Sequence, residues 1–90
     1  MTIFAVIATD KNEQKINKLN TLISSKYADN HLKLDDKSWL VFGAESIQPK
    51  GIFQDLFGDD TSISCLIVPF DAYWGVQSKA VWDWLKNKGL

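Results

Sequence analysis

The chain contains no arginine: all ten of its basic residues are lysines, and its formal net charge is −1. Arginine supplies the planar fork that grips phosphates and carboxylates in pairs of hydrogen bonds, so its absence weighs against tight nucleic-acid recognition. Lysines still hold phosphates as point charges, but here they are scattered without a basic block. There is one cysteine, Cys65, inside the apolar run Ile63 to Val68. That excludes an internal disulfide and a multi-cysteine zinc site, and its setting predicts a buried, inert thiol on a strand. There is one histidine, His31. It has no identifiable sequence partner, which argues against a nucleophile triad of the usual kind and favours a solvated strand-edge residue. No glycine-rich phosphate loop, calcium-loop spacing, internal repeat or Pro/Gly/Ser linker occurs. The longest N-terminal apolar run, Ile3 to Ala8, is too short to cross a bilayer and has no basic flank. The expectation is a cytoplasmic protein without membrane contact, in which a single domain spans residues 1–90.

What is present is a globular composition, 46% hydrophobic and 23% charged. A domain this small has a thin core, which makes oligomerisation a reasonable source of added stability. Ile3 to Ala8 reads as a central strand buried on both faces. Ile16, Leu19, Leu22 and Ile23 then recur at helical spacing. Asp10, with Glu13 three residues on, fits the pattern of a helix-capping box. His31 to Leu34 alternates, Asp35-Asp36-Lys37 turns the chain, and Trp39 to Phe42 returns as a strand. A shorter helix follows, with Ser46 as its expected cap, Pro49 in its first turn, an apolar face of Ile52, Phe53, Leu56 and Phe57, and Gly58 as its stop. "TSISCLIVPF" reads as a buried strand ended by Pro69. "DAYWGVQ" reads as a short edge strand, and Ser78 to Gly89 as a capped closing helix. The order strand, helix, strand, strand, helix, strand predicts an α+β, ferredoxin-like βαββαβ sandwich on an antiparallel sheet, with a short C-terminal strand/helix extension. Its helices lie on one face, and the open face is available for a dimer.

Four features together carry a family resemblance. A first strand ends in Thr9-Asp10. A hairpin strand reads Ser38-Trp39-Leu40-Val41. A helix leads through an acidic turn into an apolar strand in "DLFGDDTSISCLIV". Trp74-Gly75 is followed by Trp84-Leu85. In this order and spacing the chain resembles the small CRISPR-associated Cas-two proteins, and more closely their SinR-like relatives. The resemblance implies a ferredoxin-like homodimer in which the Asp10 carboxylates of two subunits face each other. It also implies that they can hold a divalent cation, Mg²⁺ or Mn²⁺, for phosphodiester cleavage. The chain departs from the family pattern in having Thr9 where relatives commonly have Tyr, and in lacking Arg.

The candidate residues each carry two readings. Asp10 is a metal-binding, catalytic acid, or a helix cap stabilised by the helix N-terminus. Lys11, Lys15 and Lys18 are a phosphate-facing row on the first helix, or a solvated face. Tyr73, Trp74, Trp82 and Trp84 belong to a protein interface or the core, or stack on bases. On a helix, positions 82 and 84 lie about 200° apart, which puts Trp84 on the Val81–Leu85 face and Trp82 at its border. The leading expectation is a homodimeric binding or assembly module in nucleic-acid, mobile-element or defence biology, with a nucleic-acid or protein partner and no required cofactor. The alternatives are a metal-dependent endonuclease acting through Asp10, and a toxin or inhibitor of a host defence complex.

Overall fold

The structure is a computed structural model that describes residues 2–44, 47–70, 75 and 77–89. Among these residues four strands and three helices follow in the order β1 (Thr2–Ala8), α1 (Glu13–Lys26), β2 (His31–Asp35), β3 (Ser38–Gly43), α2 (Pro49–Phe57), β4 (Cys65–Phe70) and α3 (Lys79–Asn87). The sheet order is β2-β3-β1-β4, with every neighbouring pair antiparallel. This is the split βαβ arrangement of a ferredoxin-like α+β fold. β1 is central, and β2 and β4 are the edges among the described residues.

Alternation along β1 divides the molecule into two cores. Phe4, Val6 and Ala8 point to one face, where they meet Ile16, Leu19 and Ile23 of α1, Ile52 and Leu56 of α2, and Trp39 and Val41 of β3. Gly43 is needed there because a Cβ would stand 2.8 Å from Ile47 Cγ2 and 3.0 Å from Phe4 Cε1. α2 begins with Pro49 at its first helical positions and ends at Gly58, whose φ of 62° suits glycine. Its N-cap is Gln48; Ser46, the expected cap, lies outside the described residues.

The second core is on the opposite face. Here α3 lies across the sheet, and its Val81 and Leu85 bury Ile3 and Leu40, flanked by Ala5, Leu32, Leu34, Phe42, Phe70, Trp82 and Trp84. The face expected to be open is therefore largely covered by the chain's own C-terminal helix. Lys88 fastens the end of α3: its Nζ donates to Asn30 Oδ1 at 3.0 Å and lies 5.0 Å from the Phe42 ring centroid. Ser78 occupies the N-cap position of α3 but makes no side-chain capping bond.

β4 also differs from expectation. Its apolar run predicts a buried strand, yet it is an edge strand beginning at Cys65, and Pro69 lies within it. Among the described residues one side of β4 has no ladder partner, and a strand so placed tolerates proline. Beyond the cover of α3, Ile7, Leu66 and Val68 remain 39%, 54% and 38% exposed. The register places Ile7 opposite Leu66 and Ala5 opposite Val68, so the three exposed side chains form one apolar corner. The expected strand in "DAYWGVQ" falls almost wholly outside the described residues.

Candidate functional site

The rim at the C-terminal end of β1 is built around Asp10. Backbone N–H groups of Thr9 and Asp10 both donate to the Ser64 carbonyl, at 3.0 and 3.1 Å, which ties this rim to the start of β4. The Asp10 carboxylate completes the tie. Oδ1 accepts from the Asn12 N–H at 2.9 Å, and Oδ2 accepts from the Ser64 N–H at 3.1 Å. These backbone donors, with Lys15 Nζ at 4.0 Å, hold the Asp10 carboxyl below its ordinary range.

The residue that caps α1 is Asn12, whose side chain accepts from the Lys15 N–H at 3.2 Å. The capping-box reading of Asp10 and Glu13 is thus corrected. The cap sits two residues later, and Asp10 instead makes a turn bond and a cross-chain clamp. As a cation ligand, Asp10 is poorly disposed within one subunit. Both its oxygens already accept backbone hydrogen bonds, an ammonium group stands nearby, and no group of three potential ligands gathers among the described residues. Within one subunit this donor set is incomplete for a hard dication, which favours several oxygens; the site that the resemblance implies needs the partner's Asp10 as well.

The clamp gives a testable result. In Asp10→Asn the oxygen facing Asn12 is retained, but an amide N–H₂ would face the Ser64 N–H, donor against donor. The melting temperature should fall, and further for Asp10→Ala. Because the folded carboxyl titrates lower than the unfolded one, its stabilisation is present above about pH 4 and is lost as pH falls through the folded value. Asp35 and Asp60 shift in the same direction, through Ser38 and Ser62 respectively. Wild type should therefore lose stability steeply below about pH 4, and Asp10→Asn less steeply. Thermal melts from pH 7 to pH 2 measure both slopes; parallel profiles would refute the clamp.

The remaining candidates separate in space. Lys15 faces Asp10, and Lys18 pairs with Asp60 at 3.6 Å, while Lys11 turns to a different groove. The expected phosphate-facing row is not a single row. Asp35 Oδ1 accepts from the Lys37 N–H and the Ser38 hydroxyl, and Asp60 Oδ1 from the Ser62 N–H, as turn residues do. His31 is half-buried and is not simply solvated: its Nδ1–H donates to the Tyr27 carbonyl at 2.7 Å. Tyr27 in turn donates its hydroxyl to Asp55 at 2.9 Å, and burial raises the Tyr27 phenol above its ordinary value. These bonds tie α1 to α2 and to the start of β2. Cys65 is half-buried, and burial raises its thiol, which disfavours the reactive thiolate. Trp82 and Trp84 are half-buried against their own sheet. Tyr73 and Trp74 lie outside the described residues.

Sequence reasoning missed two residues that matter for surface chemistry. Lys33 on β2 and Lys37 in the β2–β3 turn join Lys11 around a hollow of about 340 Å³ against α1. Their wide separation from Lys11 in the chain gives no local signal.

The chain matches no protein-family model and no curated protein. No described helix is long and apolar enough to cross a membrane.

Proposed function

We propose that this protein is a homodimeric binding or assembly module, similar in kind to the Cas-two and SinR-like proteins and acting in nucleic-acid or defence biology. The observation that carries the dimer is the corner formed by β4. Six successive apolar residues, Cys65 to Phe70, form an edge strand without a charged residue. Soluble proteins usually protect such an edge with charges, prolines, bulges or a covering element, and here Pro69 is the one such residue. Leu66, Val68 and Ile7 expose their side chains on the face beside it. A second copy of the chain, packed on this corner, covers the apolar side chains of Ile7, Leu66 and Val68.

The nuclease alternative rests on Asp10, whose oxygens accept one backbone hydrogen bond each with Lys15 Nζ 4.0 Å away, and no further acid or histidine joins it among the described residues. Binding therefore accounts for the residues better than metal-assisted cleavage does.

Sedimentation of wild type and Leu66→Lys/Val68→Lys tests this reading. Both positions are exposed, so the variant should fold. Wild type is expected to be a dimer at high micromolar concentration and the double variant a monomer. A wild type that stays monomeric under those conditions overturns the proposal.

A further inference from the structure

The groove between α1 and the β2–β3 hairpin gathers side chains suited to an anion. Its lining includes Lys11, from the loop after β1, Lys33 on β2 and Lys37 in the hairpin turn. Lys33 lies 3.8 Å from the exposed Asp36 carboxylate. Among the described residues, Lys11 and Lys37 make no ion pair within 4 Å, although the Lys37 charge acts on the neighbouring Asp35 carboxylate. One amide on the wall has a fixed orientation. Asn20 Oδ1 accepts from the indole N–H of the buried Trp39 at 2.9 Å, which leaves the Asn20 amide N–H₂ as a donor. Asn17 adds a second amide, and Glu13 and Asp36 put carboxylate acceptors in the same lining.

We propose that this groove binds a small phosphate monoester whose remaining part carries hydroxyl groups. A terminal phosphate offers three oxygens and nearly two negative charges at neutral pH. Lys11, Lys37 and the Asn20 amide are matched to it, with Lys33 available on turning from Asp36, and the carboxylates of Glu13 and Asp36 then accept from hydroxyls on the attached group. The hollow is at the small end of ligand-site sizes, which favours one compact molecule. A phosphodiester strand has fewer free oxygens per phosphate and must pass the same two carboxylates. The groove lies on the helix-bearing side of the sheet, away from the Ile7, Leu66 and Val68 corner, so it stands independently of the dimer reading.

The test is titration of the isotopically labelled full chain with ribose 5-phosphate, adenosine 5′-monophosphate, adenosine and a single-stranded oligonucleotide. Backbone and side-chain amide resonances are followed. Saturable shifts are expected for the two monoesters at Lys11, Lys37 and the Asn20 side chain, and none for adenosine. Lys11→Gln and Lys37→Gln, both at exposed positions, should each weaken binding roughly tenfold, the loss expected for one charge-assisted hydrogen bond. The proposal is overturned by the absence of saturable shifts at millimolar monoester, by equal shifts with adenosine, or by affinities unchanged in both variants. Tighter binding of the oligonucleotide at the same resonances overturns it too, in favour of a backbone-binding groove.

Discussion

Trp39→Ala is expected to cost about 3–5 kcal/mol, the usual range for removing a fully buried large aromatic side chain. The side chain has no solvent exposure. It stands in β3 between Val6 and Lys33 in the sheet register and fills the space beneath α1. Its indole N–H also satisfies Asn20. A loss of this size approaches the lower end of a small domain's whole stability, so the variant should be largely unfolded at 37 °C. Trp39→Phe keeps most of the ring volume and gives up the hydrogen bond, a loss of about 1–2 kcal/mol. Urea unfolding followed by circular dichroism separates the two. An alanine variant within about 1 kcal/mol of wild type would mean that the site collapses freely, contrary to the packing described.

The second large effect is expected from Leu85→Asp. Leu85 and Val81 are the buried contacts of α3 with Ile3 and Leu40. A carboxylate cannot be held there without a partner, so the helix should leave the sheet. Burial of the two side chains contributes about 3 kcal/mol or more, and a nine-residue helix does not persist unsupported in water. Tryptophan emission should shift to longer wavelength as Trp82 and Trp84 lose their cover, and trypsin should cut at Lys79 and Lys86. Leu85→Met, which conserves volume, should leave both readouts near wild type. Resistance of the Asp variant to trypsin would show that α3 is held by other contacts.

The elements that could be read from the sequence are those whose signals are local. Ile16, Leu19 and Ile23 repeat at helical spacing and bury one stripe; Gly58 stops a helix because its backbone has a positive φ. The order of these elements was enough for the ferredoxin-like topology. The departures are all tertiary. Asp10 and Asn12 are equally plausible caps by residue type, and only the Ser64 N–H, far along the chain, draws Asp10 into another role. The amphipathic pattern of α3 shows that it buries a stripe, but not that it does so on the face opposite α1 and α2. A uniformly apolar β4 has the same sequence whether central or at an edge, because periodicity cannot report a missing neighbour. The groove lysines converge only when the hairpin folds beside α1.

The position of β1 has a consequence for biosynthesis. This strand precedes the other three in the chain yet sits at the centre of the sheet, and one flank of it pairs with β4, the last of the four described: Ala5 pairs with Val68, and Ile3 with Phe70. The nascent chain must therefore carry an apolar strand with one flank unpaired until β4 has emerged. Such long-range pairing slows folding and prolongs exposure of sticky segments. Closure of the sheet accordingly waits for Cys65 to Phe70, and the second core waits further for α3.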